Sequence, residues 1–268
     1  MQMMTDREED PVRLSAIHHN IGDVMGFIGQ RSGSVHFLEQ AALSYEQALE
    51  LRPQNTMPLE WARSTLSNGL VMQSIGELED NASMLKQGLR LFKEAVNLLP
   101  KDQHAEEWAT AMCGVGTALY QLGTHRRGSR TLEQALVALR NVLSECSADT
   151  HSMAWGITQN NLAATMQALG EHEEDIGALE ASIPLYDEVL KVLNQDSLPL
   201  VWTMVAANRA SAMIALAGES DYLDMAEASV IEFEKIHALL NSTDYSEYQA
   251  KALERKEQAE KLVASLQL

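Results

Sequence analysis

The side chains able to do chemistry in this chain recur along it rather than cluster. Two histidine pairs, His104 with His151 and His125 with His172, are each separated by 47 residues. Histidines bind a metal only when their rings reach one ion at about 2 Å. Equivalent positions on neighbouring helical hairpins are roughly 10 Å apart, so these pairs read as loop and helix-start surface. His18 and His19 are adjacent and point to different sides of a helix. Cys113 has no histidine partner fixed by the sequence, which argues against a thiolate nucleophile. With Cys146 it makes two cysteines in all, too few for a disulfide framework or a metal-type cysteine set. The acidic clusters GELED (76–80) and EHEEDIG (171–177) contain paired carboxylates of the kind used in acid–base chemistry. Each follows a glycine at the start of a helix, where negative charge complements the helix dipole. The GVG at 114–116 follows no strand and is not a phosphate loop. No catalytic residue, metal site or cofactor is expected, and the chain does not read as an enzyme.

The elements that position these residues follow from a 47-residue ruler. The four tryptophans, Trp61, Trp108, Trp155 and Trp202, are spaced by 47 throughout. Small residues keep the same period at Gly22, Gly69, Gly116, Ala163 and Ala210, and Met25, Met72, Leu119, Met166 and Met213 follow three positions later. Gly29, Gly76, Gly123 and Gly170, with Gly218 displaced by one, look like helix stops. A second small column (Ala41, Gly88, Ala135, Ser182, Ser229) precedes a bulky one by four residues, the latter running from Tyr45 and Phe92 to Phe233. Apolar spacings of three and four are helical. Each unit therefore reads as a helix–turn–helix hairpin, and five hairpins stack to bury a continuous core, as in an α-solenoid. Pro184 falls inside the fourth second helix, where a kink is expected. Residues 1–11 read as a flexible acidic N-terminus, 12–240 as the five repeats, and 241–268 as a C-terminal capping helix. Tyr248, Ala252, Ala259, Leu262 and Leu266 form the apolar stripe of that cap.

Charge narrows the function. The formal net charge is −18, which repels phosphate backbones and anionic lipid. Nucleic acid and membrane surfaces are therefore not expected as partners, and neutral to basic proteins or peptides are. The N-terminus lacks the apolar run of a signal peptide. No apolar stretch approaches the roughly 20 residues of a membrane span, so a cytoplasmic location is the expectation.

The second half of each repeat resembles the tetratricopeptide repeat. Ala41–Tyr45–Ala48–Pro53 and Gly88–Phe92–Ala95–Pro100 carry that family's A-x₃-F, A and P spacing. The period of 47 instead of 34, and a tryptophan one turn earlier, mark a long-helix variant. The resemblance implies an all-α superhelix whose first helices line a concave, peptide-binding surface. Carried onto this register, that surface holds Asn20, Asn161 and Asn208 two positions before the small residue, with Asn160 three before. Asp23, Thr117 and Ser211 follow it by one, and Gln73, Tyr120 and Gln167 by four. Arg63 and Thr110 lie one turn earlier. Asparagine is a poor helix former, so an asparagine column needs a reason. Its amides either grip the backbone of an extended peptide or bridge neighbouring helices inside the stack. The surface lacks a lysine-rich carboxylate clamp.

The resulting expectation is a non-enzymatic protein-interaction module, capable of self-association. The alternatives are an accessory or regulatory subunit of a separate enzyme or secretion complex, and a bacterial sensor of signalling peptides.

Overall fold

The computed structural model describes residues 10–126, 128–147, 152–240 and 246–268. Among these the chain is all-helical, with eleven helices and no strands. In order they are α1 (Pro11–Ser32), α2 (Val35–Glu50), α3 (Pro58–Leu78), α4 (Ala82–Val96), α5 (Ala105–Arg126), α6 (Ser129–Leu143), α7 (Ser152–Glu173), α8 (Ile176–Val192), α9 (Pro199–Ser220), α10 (Leu223–Leu240) and α11 (Ser246–Leu266). The expected flexible N-terminus lies almost entirely in residues 1–9, outside the described residues, as does His151.

The chain divides into two compact units, residues 1–125 and 126–268. The first holds α1 to α5, and the second holds α6 to α11. The two helices of the third repeat thus fall in different units. Within each unit successive helices pack as sequence neighbours. First helices of adjacent repeats also touch, α1 with α3 and α7 with α9.

The turns inside the hairpins explain the helix boundaries. A residue in left-handed conformation ends the first helix: Gly33, Asp80, Glu174 and Asp221, with φ of 63°, 50°, 55° and 54°. After Asp80 and Glu174, Asn81 and Asp175 cap the next helix, their side chains accepting from Ser83 N (3.0 Å) and Ala178 N (3.3 Å). The acidic clusters therefore do not sit at second-helix N-termini as expected: Glu77, Glu171 and Glu173 lie in the last turns of α3 and α7, Asp80 and Glu174 form the turns, and only Asp175 of the two clusters caps a second helix.

Gly29, Gly76, Gly123 and Gly170 are not helix stops, because each helix runs on for two or three residues beyond them. Three of them mark close crossings instead. A Cβ on Gly29 would stand 2.7 Å from Leu38, one on Gly76 2.7 Å from Leu85, and one on Gly170 2.8 Å from Leu179. The second helix lays its first leucine into the notch where the first helix has no side chain. In the fifth repeat that leucine position is Ala226, and alanine at 217 replaces the glycine. The other small column works likewise. Gly22 and Gly69 leave room for the rings of Tyr45 and Phe92, and Gly114 receives Phe92 from the other side. Pro184 lies within an unbroken α8.

The tryptophans of the ruler are half-buried scaffolding. Trp155 packs against a cluster that includes Ala163, Tyr186 and Val189, and Trp202 against one that includes Ala206, Phe233 and Ile236. In α11, Ala252 and Ala259 are buried, whereas Tyr248 is more exposed than its place in the apolar stripe implied. One expectation from hydropathy needs amendment. α9 is long and apolar enough to cross a membrane by length and composition alone, with a mean hydropathy of 1.4. Of the residues in that window 44 % are buried within the protein.

Candidate binding surface

The candidate residues fall into two sets, one in each unit. In the first unit Asn20 and Asp23 lie on the exposed side of α1. Asp23 is the outer end of a polar network. Its carboxylate accepts a hydrogen bond from Tyr45 Oη at 2.7 Å and stands 3.6 Å from His19 Nε2. His19 Nδ1 lies 3.0 Å from Ser64 Oγ. Ser64 in turn accepts from Arg52 Nη1 at 2.9 Å, and Arg52 Nε donates to Ser15 Oγ at 3.0 Å. Burial pushes the Tyr45 phenol up, with the Asp23 hydrogen bond adding to it. Burial holds the His19 imidazole below its usual value despite Asp23.

Arg52 was not anticipated, yet a signal for it exists. The same repeat position reads Arg52, Leu99, Cys146, Leu193 and Leu240. A guanidinium occupies a core column, 7 % exposed, where it accommodates its charge through hydroxyl partners and the Glu60 carbonyl oxygen at 3.4 Å.

Other candidates of this unit tie first helices together. Arg63 donates to Glu107 Oε1 from Nε (3.2 Å) and Nη2 (2.9 Å), joining α3 to α5. That hydrogen bond is the main reason the Glu107 carboxyl sits below the usual range. Thr110 and Thr117 donate to carbonyls one turn back, those of Glu106 and Cys113, both at 2.9 Å. Gln73 and Tyr120 are half-buried.

In the second unit the asparagines come together. Asn160 Nδ2 donates to Asn161 Oδ1 at 3.2 Å, and Asn208 Nδ2 donates to Asn160 Oδ1 at 3.1 Å. A chain of three amides thus crosses from α7 to α9, so these amides do bridge neighbouring helices. The bridging member is Asn160, not Asn161, which shares the repeat column with Asn208. Ser211 donates to the Ala207 carbonyl at 2.9 Å. Gln167 donates to Glu171 at 2.8 Å and accepts from Tyr186 Oη at 3.2 Å.

Asn208 and Ser211 also line a cavity of about 240 Å³ between α9, α10 and α11. Its floor is apolar, with Ala207, Phe233, Ile236 and Leu240, and Met204 and Tyr248 stand at its edge. α11 contributes Lys251 and Arg255, and among the described residues no carboxylate lines the cavity. These two cations were missed, because nothing in the repeat ruler says which face of the cap meets α9.

Among the described residues no group of three or more histidine, cysteine or acidic side chains is placed to hold a metal ion. His125 lies 3.1 Å from Asp80 Oδ1, and His172 lies 3.0 Å from Ser129 Oγ. Comparison with known protein families and with curated proteins gives no match.

Proposed function

We propose that the protein is a non-enzymatic interaction module, built as an α-solenoid of five long tetratricopeptide-like hairpins with a C-terminal cap. It works in the cytoplasm without a cofactor and binds an extended segment of a protein or peptide along its first helices. The carrying observation is the amide chain Asn161–Asn160–Asn208 leading into the cavity beside α11. Amides that already bond side by side are held in fixed orientation, so Asn160 and Asn208 meet a peptide backbone at little entropic cost. The cavity then takes one apolar side chain of the segment, and Asn208 and Ser211 stand where its main chain passes. A net charge of −18 favours a segment that is neutral to basic along most of its length. Lys251 and Arg255 make the cavity mouth the local exception.

The test is capture of partners followed by titration of the segment identified, comparing wild type with the Asn161→Ala, Asn208→Ala double variant. Loss of two amides at the contact is expected to weaken binding by roughly ten-fold or more. Undiminished binding by a folded double variant would remove the assignment.

A further inference from the structure

α3 and α9 each turn one face toward the hairpin before them. On α3 this face includes Ser64, Asn68, Val71 and Ile75, all buried. Val71 and Ile75 join Leu38, Ala41 and Tyr45 of α2 in one cluster. On α9 the same repeat positions are Val205, Arg209, Ala212 and Leu216. Val205 and Ala212 pack with Tyr186 and Val189 of α8, and Arg209 Nε reaches Asp187 at 2.6 Å. One period before Ser64 the column begins on α1, as Ile17, Ile21, Val24 and Ile28. These four are 53, 41, 57 and 37 % exposed, and Phe27 beside them is 63 % exposed. The repeat whose junction face lies bare is the one with a branched aliphatic side chain at all four positions. An exposed apolar patch of this kind marks an interaction site.

We propose that this face of α1 is a dimerisation surface, covered by the same face of a second copy of the chain. Three observations select that occupant. The spacing of the stripe is four, three, four, which reads the same from either end. An antiparallel two-fold pairing therefore sets Ile17 opposite Ile28, and Ile21 opposite Val24, as a self-complementary contact requires. Charge agrees. Between Arg13 and Arg31 the stripe has no charged side chain, in a chain whose net charge of −18 opposes contact elsewhere. Antiparallel pairing also opposes the two helix dipoles. Finally, a head-to-tail contact would need an apolar receiving face on the cap, and α11 instead exposes Glu254, Glu257 and Lys261. The stripe has itself as the matching partner.

A seam of two helices falls near or below the low end of specific interfaces, about 1,200 Å² in total, so dissociation is expected in the micromolar range. Sedimentation of the full chain from about 1 to about 300 µM brackets that range. The expected result is a rise from monomer to twice the monomer mass. The Ile21→Glu, Val24→Glu double variant is expected to stay monomeric with an unchanged helical spectrum. Ile231→Glu, at an exposed apolar position of α10, is expected to dimerise like wild type. A wild-type chain monomeric at the highest concentration overturns the proposal, as does a double variant that still dimerises. Should the double variant fail to fold, Val24→Cys supplies the readout. A bis-maleimide spanning about 8–10 Å, the separation of packed helices, is expected to link two copies of it but not wild type, and no linked dimer overturns the proposal.

Discussion

At the scale of single residues, the first unit is held by a polar network in which each member limits the next. Arg52 occupies a column that is otherwise leucine or cysteine, so its charge depends on hydroxyls and a carbonyl, not on a direct carboxylate partner. His19 closes the network between Ser64 and Asp23. Burial is the largest influence on its imidazole and lowers its proton affinity; Asp23 opposes this, while Arg52 and Arg63 add to it. The unfolded chain therefore takes up a proton at His19 at a higher pH than the folded chain does. Stability of the first unit should fall as pH drops through the usual histidine value near 6.5, and level off once the folded imidazole also protonates. Urea midpoints measured between about pH 7 and pH 5 should show a shallower decline in His19→Gln than in wild type. Parallel profiles would mean that His19 does not carry this dependence.

At the scale of elements, the hairpins owe their geometry to missing side chains. Alanine at Gly76 would gain about 1 kcal/mol of helix propensity. It would also place a Cβ 2.7 Å from Leu85 Cδ2 and 3.0 Å from the Leu85 backbone nitrogen. Overpacking of that kind costs about 1–3 kcal/mol, so Gly76→Ala is expected to destabilise by about 1 kcal/mol net. The companion Leu85→Ala opens a cavity and costs about 2–5 kcal/mol alone. Combined, the two should cost clearly less than their sum, because the added Cβ fills space that the leucine vacates. Additive losses in chemical denaturation would show that the notch is not the reason for the glycine. The same logic explains why the helices outrun their glycines: a crossing point need not be an end, and the left-handed residue four positions later is the end.

At the scale of the molecule, a stack of repeats is only as stable as the neighbours each repeat has. α11 covers Phe233, Ile236 and Leu240 through Ala252. A chain ending after residue 240 should therefore exchange backbone amides of α9 and α10 faster, while α7 retains more of its protection. Uniform loss of protection throughout the second unit would contradict this graded picture. Local periodicity alone determined a good deal about this protein. The 47-residue ruler placed the helices and the small and bulky columns from α1 to α10, and an apolar stripe of its own placed the helix near the C-terminus, because burial of one helical face imprints a spacing that needs no partner to be read. Other features required the fold. The glycines could be told apart from helix stops only when Leu38, Leu85 and Leu179 were seen seated on them. Asn160 bridges to Asn208 although Asn161 shares its column, because the crossing of α7 and α9 decides which amides meet. Arg52 finds Ser15 and Ser64 across two other helices, and Lys251 and Arg255 meet the cavity only through the docking of α11. Repeat spacing records what each helix buries, whereas the identity of the side chain across the gap is set by contacts between segments far apart in the chain.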